Sequence, residues 1–271
     1  MDIRLRDDKA DELIDGTTEP KSALIAKITS LKDFFSLLVP NLEAQAKDNM
    51  LSDLDNVLLN VYKSKGITKD NESVLNPDGS YKTMPLLEDV YIEGSKPEYT
   101  YMKPLLQQLH KFVYGSCKVF NNYTNVDLDN LYTVLDVSNC SKDLLSIVMY
   151  IATDFVLSRS KEDRMQNKII LFEEIWRLIK QNVTVASYVD EMFRTIRGYG
   201  GGVIGVTQDI QELSRLDDGR FAESILANSC MKITMKVSEN AAKITKNLFN
   251  LTETEYQKSI AIPSRTGNVN C

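Results

Sequence analysis

The chain has 271 residues, of which 43% are apolar and 26% charged, with a formal net charge of −6 and an isoelectric point near 5.1. These are the proportions of a soluble globular protein of one large or two ordinary domains, and the acidic balance offers no global basic surface to nucleic acid. No apolar run approaches the roughly eighteen residues needed to span a bilayer, and the charged start MDIRLRDDKADELIDG does not read as a signal peptide.

The first half reads as helix and loop. Leu24, Ile28, Leu31, Phe35 and Leu38 recur at three- and four-residue steps, which predicts a helix from Pro20 to Val39, with Pro20 in its first turn. Leu51, Leu54, Leu58 and Val61 predict a second helix from about Leu42 to Lys63. The polar stretch SKGITKDNESVLNPDGSYKTMP follows, with a turn at Asn76-Pro77-Asp78-Gly79, and is expected to be an exposed connection. A third helix is expected over Lys103 to Val119. It contains His110, the single histidine, to which no catalytic role is assigned.

The second half changes character. Four short apolar, β-branched runs predict strands at Tyr132–Ser138, Lys168–Glu173, Gly202–Thr207 and Met231–Val237. Helical patterns follow each of them, over Lys142–Ser158, Ile175–Arg197, from Ile210, and over Glu239–Asn247. Alternating strands and helices imply right-handed crossovers and a parallel sheet covered on both faces. The expected division is a mainly helical part over 1–125 and an α/β part over 126–271. The cysteines Cys117, Cys140, Cys230 and Cys271 are far apart, and none forms a CxxC pair. With one histidine, a Cys/His metal centre is not expected; the thiols read as reduced, buried or incidental.

Ligands of open α/β sheets sit at the carboxyl ends of the strands. Three predicted strand ends carry polar groups: Asp136, the pair Glu173-Glu174, and Thr207-Gln208-Asp209. An apolar strand ending in two carboxylates has the form of a Walker B element. The first would hold Mg²⁺ through water, and the second would orient or deprotonate an attacking water. Acidic residues also favour the positive end of a helix dipole, so Glu173 and Glu174 could simply start a helix. Spacing alone leaves both readings open. Arg194 and Arg197, late in the following helix, suit its C-terminus or a phosphate on a neighbouring subunit.

GGGVIG, Gly200 to Gly205, fits G-x-G-x-x-G, but here the glycines follow a helix and enter a strand. A dinucleotide fingerprint does the reverse, so a helix-to-strand turn is expected. No G-x-x-x-x-G-K-[ST] and no Gly-Lys pair occurs anywhere in the chain.

Three blocks carry a family resemblance: TNVDLDNLYTVLDVSN, KIILFEEIWRLI, and ASYVDEMFRTIRGYGGGVIGVTQDIQEL with the later ILANSCMKITMKV. In this order, over roughly Phe112 to Tyr256, they resemble the VirB-type ATPases of conjugation and type IV secretion, in the FtsK–HerA group of P-loop NTPases. The resemblance implies a RecA-like α/β core with an all-helical insertion. It implies an ATPase using ATP and Mg²⁺ that powers pilus assembly or DNA or protein transfer. It further implies a hexamer, cytoplasmic and docked at the inner face of the membrane to channel and coupling proteins. Glu173 and Glu174 then match the Walker B pair, and Gln208 the sensor glutamine. Arg194 or Arg197 falls in the arginine-finger region, with Thr207 and Asp136 on the nucleotide side.

The family has Asp-Glu where this chain has Glu173-Glu174, and Ala where Ile175 stands. Its phosphate loop lies upstream of a segment like Met1-Asp2-Ile3. The chain is therefore expected to be a fragment or a decayed copy, which the DNA upstream of the Met1 codon would test.

Overall fold

The computed structural model describes residues 1, 3, 5, 22–123, 130–162, 165–181, 183–208, 210–235 and 237–261. The chain divides into two compact units, Met1–Glu162 and Asp163–Cys271.

The first unit is helical. Helices α1 (Ala23–Leu38) and α2 (Ala44–Ser64) form where the apolar periodicity places them. Their buried stripes, Leu24, Ile28, Leu31 and Phe35 against Leu54, Leu58 and Val61, share one core. Ser22 precedes α1, and Pro20 lies outside the described residues. Helix α4 (Lys103–Val113) contributes Leu105, Leu109 and Phe112 to the same core. It ends six residues before the expected limit of Val119, because the chain folds back on it: the Cys117 amide reaches the Lys111 carbonyl at 2.9 Å. A Cβ on Gly115 would lie 2.8 Å from the Lys111 Cα, so only glycine permits that closure.

Two expectations for the connection need correction. Helix α3 (Leu87–Gly94) lies between the predicted helices, started by Asp89, whose carboxylate accepts the Leu86 amide at 2.7 Å. The stretch before it is not merely exposed, since Ile67, Val74 and Met84 are buried. The turn itself forms as predicted, with Gly79 at φ 81° and its amide 2.9 Å from the Asn76 carbonyl.

Helix α5 (Lys142–Ser160) also belongs to this unit and is fastened to α1 by polar contacts. Asp154 accepts Lys27 at 2.8 Å and the Ser30 hydroxyl at 2.7 Å, while Tyr150 donates to the Ser30 carbonyl. Phe34 packs against the Tyr150 ring.

In the second unit, β1 (Lys168–Phe172) and β2 (Gly201–Gly205) pair in parallel, Lys168 opposite Gly201 through Phe172 opposite Gly205. The crossover between them is α6 (Ile175–Gln181), α7 (Val183–Thr195) and a 3₁₀ turn at Ile196–Tyr199. It covers one face of the pair. A Cβ on Gly201 would meet Ile196 Cγ1 at 2.6 Å, and one on Gly205 would meet Ile175 and Phe193 at 3.1 and 3.2 Å. The alternate side chains Ile169, Leu171, Ile204 and Val206 are exposed. After β2 come α8 (Ile210–Arg215), α9 (Arg220–Asn228), α10 (Glu239–Phe249) and α11 (Glu253–Ala261). Left-handed Asp217, Asp218 and Gly219 separate α8 from α9.

Two predicted strands do not form among the described residues. Residues 132–138 and 231–235 join no ladder among the described residues, and Tyr132, Val134, Met231 and Ile233 are exposed. A β-branched apolar run reports a capacity to fit a sheet, not the presence of a neighbour to pair with. Among the described residues Cys117, Cys140 and Cys230 are free thiols, the first two half-buried and the third exposed.

Gly201→Ala is expected to destabilise by about 1–3 kcal/mol through overpacking against Ile196, whereas Gly202→Ala, which meets nothing within 4 Å, is expected to be near neutral. Urea midpoints of the two variants check this. Asp33 has its pKa raised, chiefly by burial. Its charged form is therefore disfavoured in the folded chain, and this cost is absent below the unfolded carboxylate pKa. Asp33→Asn is expected to raise the urea midpoint at pH 7 and leave it unchanged near pH 3.

Candidate functional site

The parallel pairing brings two of the three predicted strand ends together. Beyond the last ladder pair, the Val206 amide donates to the Phe172 carbonyl at 2.8 Å, and the Ile175 amide donates to the Val206 carbonyl at 3.0 Å. Glu173-Glu174 and Thr207-Gln208 therefore leave adjacent strands side by side. Glu173 and Gln208 are exposed, without a side-chain partner among the described residues, and Thr207 is half-buried. Ile175, where the resembled family has Ala, fills the space over Gly205, and the missing Cβ on β2 admits the larger residue.

Glu174 has left-handed backbone, φ 51°. For a non-glycine residue this costs on the order of 1 kcal/mol. Its carboxylate Oε2 accepts the Trp176 indole N–H at 2.6 Å. It takes no backbone amide of α6 among the described residues, so it does not cap that helix in the way a helix-starting carboxylate would. Arg177 and Lys180 lie over the Trp176 ring, 5.4 and 5.5 Å from its centroid. Lys180 also pairs with Glu212 of α8 at 2.9 Å. Helix α8 follows Gln208, so this ion pair joins the helices that leave the two strand ends. The strand and helix patterns of the sequence give no part to Trp176, Lys180 or Glu212. The Trp176 contact spans two residues through a left-handed turn, which helical periodicity cannot indicate.

The arginines lie at the far end of the crossover. Arg194 pairs with Asp190 one turn earlier at 3.4 Å and is largely exposed. Arg197 is exposed, with no ion pair among the described residues. Gly200, left-handed at φ 71° and ψ 18°, ends the 3₁₀ turn, so GGGVIG is the helix-to-strand turn and not a cofactor loop. Asp136 belongs to the first unit, at no strand end. Its carboxylate accepts the Ser138 amide at 2.8 Å, and that bond lowers its pKa. Asp209 lies outside the described residues. His110 packs its ring against Tyr91 and Tyr114 and lines a cavity of about 480 Å³ with Tyr99, Lys96 and Lys103.

Among the described residues, no three Asp, Glu, His or Cys side chains converge as a metal cage. Two adjacent carboxylates suit Mg²⁺ when phosphate oxygens and water complete its octahedral shell. Glu173, exposed at the strand end, has the chemistry of a ligand to a metal that arrives with a nucleotide.

The chain has a helical unit and a unit with a parallel β-pair, crossover helices and polar strand ends, an α/β architecture consistent with a RecA-like P-loop core. The sequence matches the family of the TraG P-loop domain over residues 26–268, and the chain belongs to that family. The fold is similar to that of VirB4 of Thermoanaerobacter pseudethanolicus, with a TM-score of 0.71 and 22% identity over 89% of this chain. The chain spans 65% of the length of that VirB4 chain. No individually curated protein matches it by sequence.

Proposed function

We propose that this chain is the carboxylate-and-sensor part of an ATPase that powers conjugative transfer or type IV secretion. One observation carries the reading: the ladder through Phe172, Val206 and Ile175 sets two carboxylates beside a Thr-Gln pair at adjacent parallel strand ends. Membership of the TraG P-loop family and the VirB4-like fold support it.

In this reading, Glu173 would hold Mg²⁺ through water, and that ion would supply charge neutralisation to the phosphates when bound with ATP. Glu174 takes the proton of the water that attacks the γ-phosphorus as the bond to ADP breaks. The Gln208 amide orients that water or senses the γ-phosphate, with Thr207 beside it. Arg194 or Arg197 reaches the phosphates of a neighbouring subunit, which requires a ring; a hexamer is the assembly proposed. Arg197 is the better placed, because Arg194 is held by Asp190. Asp136, whose carboxylate accepts the Ser138 amide, stands on the nucleotide side in this reading. The assembly would act on the cytoplasmic side of the membrane, against channel and coupling proteins. No helix among the described residues is long and apolar enough to cross a membrane.

A second reading rests on the missing G-x-x-x-x-G-K-[ST]. Phosphoryl transfer depends on positioning and charge neutralisation, and backbone amides with a lysine normally supply much of both. By itself the chain would then serve as a non-catalytic module that binds the intact ATPase or channel components. Negligible ATP turnover by the purified chain is expected, with Mg²⁺-dependent ATP or ADP binding measured by calorimetry. Turnover that Glu174→Gln abolishes would show that the chain supplies its own phosphate site.

A further inference from the structure

The Glu174 carboxylate must be aimed at a water for the reading above to work, and that aim needs a support. The backbone does not give it: Glu174 sits in a single left-handed turn, with its side chain outside both the strand ladder and the helix hydrogen bonds. The described contact on the carboxylate is the indole N–H of Trp176, at 2.6 Å. A hydrogen bond to a charged acceptor at this length is among the stronger ones, and its direction fixes the side-chain torsions.

The indole is itself held. Arg177 and Lys180 lie over the ring at cation–π distances, and Lys180 is anchored to Glu212 on α8. A connected path therefore runs from Glu174 through Trp176 and Lys180 to Glu212, on the helix that follows Gln208. A rotation of the indole would move the carboxylate and disturb the ion pair that ties α6 to α8.

We propose that Trp176 is the positioning residue of Glu174. Its indole N–H holds the carboxylate in the orientation used for water activation, and the Lys180–Glu212 pair couples that orientation to the Gln208 side of the site. Trp176 touches neither substrate nor metal; it acts through Glu174. The proposal rests on the phosphoryl-transfer reading for its meaning, but the contact can be tested without it.

Trp176 is the single tryptophan, so a ¹H–¹⁵N spectrum of the whole chain contains one indole N–H signal. Glu174→Ala is expected to shift that signal and to speed its exchange with water about tenfold, as for loss of a bond to a charged acceptor. Glu173→Ala, one residue away, is expected to leave both unchanged. Glu174→Gln, which keeps an acceptor oxygen, is expected to restore most of the protection. Lys180→Ala is expected to broaden or shift the signal without abolishing its protection. An indole signal indifferent to Glu174→Ala, or one that Glu173→Ala moves equally, overturns the proposal. Mg·ADP is then added, with binding followed in parallel by calorimetry. Binding that moves the indole signal supports the positioning role; binding that leaves the signal unmoved overturns it. If calorimetry detects no binding, the phosphoryl-transfer reading fails for this chain, and the Glu174 and Glu173 variants still decide whether Trp176 positions the carboxylate.

Discussion

Two hydrogen bonds beyond the last ladder pair set the geometry on which the second unit depends. The Val206 amide meets the Phe172 carbonyl, and its own carbonyl takes the Ile175 amide. The first keeps the strands in register one residue past the sheet. The second draws the start of α6 onto the neighbouring strand, so the Glu-Glu turn lies beside Thr207 and not at a distance from it. A parallel ladder alone would not achieve this, because its slanted bonds end with the strands. The left-handed backbone at Glu174 follows from the same constraint: the chain must reverse between Phe172 and Ile175 within two residues.

Glycine makes that constraint affordable. Gly201 and Gly205 lie on the face that the crossover covers, where Ile196, Ile175 and Phe193 approach too closely for a side chain. The crossover can therefore sit tight on the β-pair, with bulky apolar residues supplied by the helices. The helical unit uses a different device. Its core is an ordinary apolar one, but α5 is held to α1 through the shared Asp154 carboxylate and its Lys27 and Ser30 partners.

Much of this was legible in the sequence. The periodicity of Leu24 to Leu38 and of Leu54 to Val61 gave two helices, and the order of β-branched runs gave the parallel pair and its crossover. The polar strand ends gave Glu173, Glu174, Thr207 and Gln208. Other features were hidden for physical reasons. Helix α3 is only eight residues long, too short for periodicity to mark it, and its start carries the Asp89 contact to the Leu86 amide. The runs around Val134 and Ile233 have strand composition without a strand partner, because pairing is a property of the neighbour as much as of the segment. The role of Trp176 depends on a left-handed residue between it and its acceptor, a conformation that residue type does not encode for glutamate.

The covered and bare faces of the β-pair differ sharply. Ile169, Leu171, Ile204 and Val206 form an apolar strip on the side opposite the crossover, and all four are exposed. Such a strip on a fully folded chain would capture a hydrophobic dye such as ANS. Dye fluorescence is commonly taken to signal loosened packing in a molten globule. For this protein it would report an intact surface, so foldedness has to be judged from near-ultraviolet dichroism and side-chain spectra instead.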